Sequence, residues 1–225
     1  MSGKWGWFVQ EIVSPTSLVV AYLSWNSDIR WDPSTAAIAL WVAHYIHRSI
    51  IWTVLMRCTA QTTVLVVALA ALFNVVNGYL NGRIYSFDSP VESFADVRFI
   101  VGLVVFSYGA YVNIRSDYML RALRSGVAAA RPKEKVESDG EKAHPHYAMP
   151  VGGWFEYVAS ANYFGELIEW TGFWILRGFA PAALSFALWT FANLVPRARD
   201  THLLYQDMFR DKYPKSRKAI IPFLY

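Results

Sequence analysis

The sequence predicts an all-α integral membrane protein, a helical bundle with about six transmembrane helices. Charged residues make up only 17% of the chain, below the roughly 25% of a soluble domain. Apolar residues are gathered in six blocks, each close to the ~20 residues that a helix needs to cross a bilayer. The alternative is a soluble all-helical protein with a large core. We expect instead a single membrane domain over residues 1–225.

The six blocks lie at residues 7–25, 35–56, 60–80, 97–115, 154–176 and 179–195. The third, "AQTTVLVVALAALFNVVNGYL", is the clearest, whereas the first and fifth contain acids. Gln10 and Glu11 stand where the apolar core of a signal peptide would have to be. We therefore interpret the first block as a helix of the bundle. The single cysteine, Cys58, allows no disulfide within one chain.

The distribution of Lys and Arg predicts the orientation of the bundle. Most of the basic residues lie in the loop 116–150 and in the C-terminal tail, and such loops stay in the cytosol. The opposite loops, "NSDIRWDPS" and "NGRIYSFDSPVESFAD", are neutral to acidic. Both termini are therefore predicted to be cytosolic. The net charge of +4 follows from this topology, and no soluble module for binding nucleic acid is present.

Residues 125–149 form the longest polar stretch, which is rich in Lys, Glu, Pro and Gly. Such a composition buries too little apolar surface to fold alone, so we expect a flexible cytosolic loop. His144 and His146 lie within it, and His44 and His47 lie one turn apart in the second block. Neither pair has a third ligand nearby in sequence, so no metal site is predicted.

The fifth block places Asn162, Glu166 and Glu169 on one helical face, at positions i, i+4 and i+7. Ionisable groups are costly in a membrane and usually face a bundle interior or a water-filled cavity. An interhelical hydrogen-bond patch needs only one polar residue. Three polar residues on one face therefore favour a ligand pocket, formed by Asn162 and Glu166, while Glu169 braces the neighbouring helices.

The fourth block continues into a second polar stripe of Asn113, Asp117, Arg121 and Arg124. Acids and amides bind ribose hydroxyls, and the fork of an arginine binds phosphate, so this stripe suits a nucleotide. Pairing of Asp117 with Arg121 is the structural alternative. The chain has no G-x-G-x-x-G and no P-loop, so a dinucleotide would have to bind within the helices.

The first two blocks carry Gln10, Glu11 and, in "HYIHRS", Tyr45. Tyrosine is an ordinary residue at a membrane interface. A buried tyrosine with a carboxyl neighbour can also donate a hydrogen bond to a substrate carbonyl and stabilise an enolate-like transition state. We therefore single out Tyr45 as a candidate.

Two long stretches resemble the steroid 5α-reductase family. They are "GGWFEYVASANYFGELIEWTGF" and, at the C-terminus, "RARDTHLLYQDMFRDKYPKSRKAIIPFLY". Upstream, "WFVQE", "HYIHR" and "DVRFIVG" with "VNIRSDYMLRALR" match in the same order, so the resemblance covers nearly the whole chain. "WFVQE" and "HYIHR" favour the steroid branch over the polyprenol and enoyl-CoA reductases.

The resemblance implies a multi-span enzyme, typically of the endoplasmic reticulum, that uses NADPH to reduce the Δ4 double bond of a 3-oxosteroid or related lipid. Hydride goes to C5 and a proton to C4, giving the 5α-dihydro steroid. The implied catalytic residues are Tyr45 and Glu11. The residues implied to contact substrate are Gln10, Trp7 and Trp170. The implied NADPH-binding residues are Asn113, Asp117, Arg124, Tyr147, Asn162, Glu166, Arg197 and Tyr205.

The chain also departs from the family's pattern. The family usually has seven spans, and this chain matches from about the second, so we expect it to lack the usual first helix. Met56 and Thr59 stand where the family often has Asn and Arg, and "DTHLLY" keeps only His202 of two usual histidines. Two other functions stay open: reduction of an enoyl-CoA or polyprenol, and a non-catalytic lipid-binding homologue.

Overall fold

A computed structural model describes residues 1–27, 29–56, 60–83, 91–125 and 148–225, without the side chains of residues 124 and 125. The regular elements of the described chain are all helices, and the described residues contain no β-strand. Its long helices are α1 (Gly3–Trp25), α2 (Pro33–Tyr45), α4 (Val64–Arg83), α5 (Val97–Ser125), α6 (Ala161–Leu176) and α7 (Pro181–Phe209). A π-helical turn (Ile46–Ile51) joins α2 to the short α3 (Trp52–Leu55), and 3₁₀ turns form at Gly153–Glu156 and Arg210–Lys212.

The six apolar blocks predicted from the sequence correspond to the six helical regions of the described chain. Three of these regions are long and apolar enough to cross a membrane: Pro33–Leu55, Val64–Arg83 and Val97–Leu123. On α4, large apolar side chains face outward, with Val64 69% and Leu72 60% exposed, as expected of a helix in lipid. The six-span topology and the cytosolic termini stay predictions, as does the single domain. Residues 126–147 of the predicted loop lie outside the described residues.

Several helices end or begin away from their blocks. α5 continues from the block 97–115 to Ser125, within the predicted loop, and α7 continues from the block 179–195 to Phe209. The fifth block was predicted as a helix from residue 154, but α6 begins at Ala161. Gly152 and Gly153 have φ of 95° and 56°, a conformation that glycine adopts without strain, and the next residues form a 3₁₀ turn. The backbone nitrogen of Ala159 then donates to the carbonyl of Lys218 at 2.8 Å, and that of Ser160 donates to Ala219 at 3.2 Å. The segment before α6 is therefore held by the C-terminal tail.

Helix starts follow from local capping. Asp32 caps α2, since its carboxylate accepts from the backbone nitrogen of Thr35 at 2.7 Å, and Pro33 occupies the first turn. Asp96 precedes α5 and accepts from the backbone nitrogen of Arg98 at 2.8 Å. The Arg98 side chain binds the same carboxylate and lowers the pKa of Asp96 to about 2. Both helices therefore begin beside an aspartate whose side chain accepts from a backbone nitrogen of the first turn.

The chain divides into two compact units. Unit 1 comprises Met1–Phe106 and Trp170–Leu188, and unit 2 comprises Ser107–Glu169 and Trp189–Tyr225. The core of unit 1 is aromatic: the Trp41 ring lies 4.9 Å from Trp170, 5.0 Å from Phe173 and 4.6 Å from Phe186, centre to centre. Unit 2 has smaller apolar clusters, one of which contains Leu167, Leu194 and Ile220.

Small residues let helices approach closely in both units. In unit 1, a Cβ placed on Gly78 or Gly82 of α4 would overlap the backbone of α1. In unit 2, a Cβ on Gly165 of α6 would overlap the backbone of Asn113 on α5. Close backbone approach through glycine is typical of membrane helix pairs, where packing rather than the hydrophobic effect holds helices together. This approach brings the polar side chains of α5 and α6 within reach of each other.

Candidate active site

The predicted catalytic and substrate residues lie in unit 1 on α1, α2 and α6. Tyr45 is 5% exposed and ends α2, with its ring stacked on Trp41 at 5.7 Å and 27°. The Trp170 ring lies 6.1 Å from Tyr45 and 4.7 Å from His44. The His44 ring also lies 5.0 Å from the Tyr45 ring, so three rings fix the orientation of the Tyr45 side chain.

Two contacts align α1 with the helix that contains Tyr45. Trp7 Nε1 donates to the carbonyl of Arg48 at 3.2 Å, and the Arg48 guanidinium lies 4.9 Å from the Trp7 ring centre. Two turns further along α1, Ser14 Oγ accepts from Trp41 Nε1 at 3.2 Å. The two helices therefore run in opposite directions along this contact.

Glu11 and Tyr45 occupy matching places in these facing rows. Glu11 lies between Trp7 and Ser14 on one face of α1, because residues i, i+4 and i+7 share a face. Tyr45 lies between Trp41 and Arg48 in the same way. Trp7 contacts Arg48, and Ser14 contacts Trp41, at the two ends of these rows. The half-buried Glu11 and the buried Tyr45 therefore lie at the same level on the facing sides of the two helices.

The remaining substrate residue on α1 has a supporting contact from α4. The carbonyl of Gln10 accepts from Asn74 Nδ2 at 2.6 Å, and Asn74 itself is buried.

Tyr45 is followed directly by the π-helical turn, whose Ser49 Oγ donates to the Tyr45 carbonyl at 2.6 Å. Single π turns are rare and often occur at functional sites.

The predicted nucleotide residues lie in unit 2, where the two polar stripes meet. Asn113 Nδ2 donates to Glu166 Oε2 at 3.2 Å, and Asn162 Nδ2 donates to Asp117 Oδ1 at 2.9 Å. Each helix thus supplies one amide and one acid. Asn113 and Asp117 are buried, at 2% and 5% exposure, while Asn162 and Glu166 are half-buried. The arrangement is an interhelical hydrogen-bond patch, and its amides and acids are of the kinds that can also bind ribose hydroxyls.

The other predicted cofactor residues are placed less closely together. Arg197 and Tyr205 lie two turns apart on α7, Arg197 exposed and Tyr205 7% exposed. Tyr205 packs with Ala159 and Tyr213, its ring 6.3 Å from that of Tyr213. Tyr147 and the side chain of Arg124 lie outside the described residues.

A polar cluster beside Tyr205 was not predicted. Tyr213 Oη lies 2.8 Å from His202 Nδ1, and the Gln206 amide nitrogen donates to His202 Nε2 at 3.0 Å. With Nε2 accepting, the ring proton is on Nδ1 and is donated to Tyr213. Burial raises the pKa of Tyr213 to about 12, so its hydroxyl stays protonated. Burial, with Lys218 and Arg217 nearby, lowers the pKa of His202 below its ordinary 6.5, which favours the neutral ring.

Arg217 is a further residue that the sequence did not single out as part of a site. Its side chain is 2% exposed, and Nη1 donates to the carbonyl of Pro150 at 3.1 Å. Among the described residues, Nε and Nη2 of Arg217 have no hydrogen-bond partner. The "YPKSRK" motif was the signal for it, but its basic residues were attributed to membrane topology.

The described residues contain no cluster of three His, Cys, Asp or Glu side chains that could bind a metal ion. The profile of a family described as "3-oxo-5-alpha-steroid 4-dehydrogenase" matches residues 60–225. The chain belongs to this family. Its membership makes the chain a membrane oxidoreductase of steroid metabolism that acts on CH–CH groups.

Relatives within the 3-oxo-5-alpha-steroid 4-dehydrogenase family align over nearly the full chain. "Steroid 5-alpha-reductase DET2" of Gossypium hirsutum is 38% identical over 97% of this chain and 81% of its own length. "3-oxo-5-alpha-steroid 4-dehydrogenase 2" of Rattus norvegicus is 38% identical over 97% and 80%. "3-oxo-5-alpha-steroid 4-dehydrogenase 1" of Homo sapiens is 36% identical over 97% and 79%. The resemblance read from the motifs is thereby confirmed.

Proposed function

We propose that this chain uses NADPH to reduce the Δ4 double bond of a 3-oxosteroid, adding hydride at C5 and a proton at C4. The observation that supports this most directly is the matching placement of Glu11 and Tyr45 in facing helical rows. The names of the relatives from cotton, rat and human support the substrate class. The product would be the 5α-dihydro steroid.

Tyr45 is the group that we assign to the 3-keto oxygen. Negative charge develops on this oxygen as the conjugated double bond accepts hydride, and a fixed hydroxyl donor stabilises it. Burial at 5% exposure and the stack on Trp41 hold the Tyr45 ring in place, so little reorganisation is needed. Glu11 is assigned to the same carbonyl, beside Tyr45.

Aromatic rings suit the rest of the steroid. Trp170 is 1% exposed and lies against Tyr45 and His44, while Trp7 is held by Arg48. We assign Trp7, Gln10 and Trp170 to the substrate. The fused apolar rings of a steroid gain most in a dry site, where the hydrogen bond to the keto group also strengthens.

Unit 2 is the part that we assign to NADPH, which supplies the hydride when bound. The donor set fits a dinucleotide: Asp117 and Glu166 accept from ribose hydroxyls, and Asn113 and Asn162 supply amides. The buried guanidinium of Arg217 has two nitrogens with no described partner, which a phosphate would satisfy. Arg197 and Tyr205, with the undescribed Tyr147 and Arg124 side chains, complete the proposed set.

We place this protein in the endoplasmic reticulum, as the family resemblance implies, with its C-terminus in the cytosol, as the distribution of Lys and Arg predicts. The proposed unit is one membrane domain over residues 1–225 whose segment 125–149 is cytosolic. NADPH would then be drawn from the cytosolic pool.

The deciding experiment is NADPH consumption by the purified chain in lipid, with progesterone or testosterone as acceptor. Formation of the 5α-dihydro steroid, identified by mass, is the expected result. A matched reaction without steroid measures uncoupled oxidation. NADPH binding with no turnover of either steroid, but with reduction of an enoyl-CoA or polyprenol, would replace the proposed substrate. Binding without turnover of any of these acceptors would make the chain a non-catalytic homologue.

A further inference from the structure

A groove of about 300 Å³ lies in unit 2 between α5 and the turn that precedes α6. Its walls contain four aromatic rings and one cation: Tyr108, Tyr111 and Arg115 from α5, and Trp154 and Tyr157 from the segment before α6. Val112, Ser116, Met119 and Gly153 complete the lining. Trp154 Nε1 donates to Tyr108 Oη at 2.9 Å and so ties the two sides together. None of these residues has a place in the proposed reductase site.

The groove lies on the opposite side of α5 from the proposed nucleotide residues. Asn113 and Asp117 point at α6, to which both are hydrogen-bonded. Tyr111 and Arg115 are each two positions away, which is about 200° around a helix. Tyr111 is 54% and Tyr157 47% exposed, so the groove opens outward. Its contents would therefore come from the surroundings of the protein.

Arg115 is the charged group of the groove. Its Nη1 donates to Tyr111 Oη at 2.6 Å, and its guanidinium carbon lies 5.8 Å from the Tyr111 ring centre. No carboxylate among the described residues forms an ion pair with it, in contrast to Arg98, which binds Asp96 at the start of the same helix. The remaining donors of the guanidinium suit a phosphate, which it binds in a bidentate manner.

The position of Arg115 on α5 indicates a lipid phosphate rather than a soluble one. It ends the apolar block 97–115, within a helix long and apolar enough to cross a membrane. Trp, Tyr and Arg at the end of such a block are typical of the level of the lipid headgroups. A volume of about 300 Å³ is at the lower end for ligand pockets. It suits one headgroup whose acyl chains continue into the bilayer.

From these observations we infer a binding site for an anionic glycerophospholipid, separate from the reductase site. The lipid phosphate lies on Arg115, its glycerol and first methylenes lie against the Tyr108, Tyr111 and Trp154 rings, and its chains extend along the outer face of α5. An anionic lipid is favoured over a zwitterionic one because the groove has one positive charge and no described carboxylate among its lining residues.

Native mass spectrometry of the full chain in detergent tests the site, with dioleoylphosphatidylserine and dioleoylphosphatidylcholine as probes of identical acyl chains. The wild type should retain the serine lipid preferentially. Arg115→Gln should lower retention by about fivefold. Arg98→Gln is the matched control and should retain lipid as the wild type does. Tyr111→Phe, which removes the hydroxyl that holds Arg115, should cause a smaller loss.

Several results would overturn the site. Equal retention of the two lipids would show that the site does not select anionic lipids. Unchanged retention by Arg115→Gln would show that the lipid phosphate does not bind at Arg115. Displacement of the lipid by millimolar inorganic phosphate would reduce the site to a phosphate site, and displacement by steroid would assign the groove to substrate. Circular dichroism melting of each variant establishes that it is folded. Because the readout is lipid binding, the result is independent of the proposed reductase activity.

Discussion

At the level of single residues, the pairing of amides with acids across α5 and α6 gives the clearest test of the nucleotide site. Glu166→Leu should abolish NADPH binding, because it removes the proposed ribose acceptor and leaves Asn113 Nδ2 without its partner. Isothermal titration calorimetry of the purified variant measures the loss.

Glu166→Gln is the matched control for that variant. Its amide oxygen still accepts a hydrogen bond from Asn113 but has no charge. This variant should therefore keep the hydrogen bond between α5 and α6, and should weaken NADPH binding rather than abolish it. If the folded Glu166→Leu variant bound NADPH with the affinity of the wild type, Glu166 would not be a cofactor-binding residue.

The hydroxyl of Tyr45 has a separate test. Tyr45→Phe should lower kcat by about 10²–10³, the usual effect of removing one oxyanion donor, and should leave the Kd for NADPH nearly unchanged. Tyr79→Phe, which changes a 39% exposed tyrosine of α4, is the control. A weaker Kd with normal kcat would contradict the role of Tyr45.

His202 predicts how stability depends on pH. Its pKa in the folded chain lies below the ordinary 6.5, so below that pH the unfolded chain binds the proton more readily. Stability should therefore be level above about pH 6.5 and should fall on acidification through the lowered pKa. Thermal melting between pH 5 and 8 measures it, and His202→Gln should flatten this part of the curve. Equal slopes in both proteins would exclude His202 as the source.

At the level of elements, glycine decides how closely α5 and α6 pack. Gly165→Ala should destabilise the chain by at least about 1–3 kcal/mol, because its Cβ overlaps backbone rather than a movable side chain. It should also weaken NADPH binding by separating Asn113 from Glu166. Ser107→Ala, at an exposed position of α5, is the control for stability. Unchanged melting of Gly165→Ala would mean that the two helices do not approach as described.

The positions of the helices could be predicted from the sequence better than their ends. The lengths of the apolar blocks predicted all six helical regions, because a membrane helix needs a continuous apolar segment to face lipid or its neighbours. The predicted start of α6 was wrong. The aromatic residues 154–157 are typical of a membrane helix, but Gly152, Gly153 and the C-terminal tail impose a turn there. The π-helical turn after Tyr45 has no sequence signal, because its register depends on packing.

The candidate site could be predicted in part. Helical spacing put Asn113 with Asp117 and Asn162 with Glu166 on shared faces, because that geometry is local. That the two faces meet depends on how α5 and α6 pack, which spacing does not determine. His202, Tyr213 and Arg217 were missed for the same reason, since their cluster joins α7 to the tail.

For the whole molecule, the orientation in the membrane is the open prediction. A glycosylation acceptor, Asn-x-Ser or Asn-x-Thr, inserted after Ala95 should be modified in microsomes, because that loop is predicted to be lumenal. The same acceptor after Tyr225 should stay unmodified. The reverse pattern would invert the topology and place the proposed nucleotide site away from cytosolic NADPH.

The division of the chain into two interleaved units has a consequence for biosynthesis. Each unit is completed by a late stretch: Trp170, Phe173 and Phe186 finish the core around Trp41, and Arg217 reaches the carbonyl of Pro150 67 residues earlier. A nascent chain that has been translated only through α5 therefore holds Trp41 and Tyr45 without Trp170, Phe173 and Phe186. Neither unit can finish folding until the ribosome has made most of the chain. Truncation within α7 should therefore leave the early helices exposed to quality control.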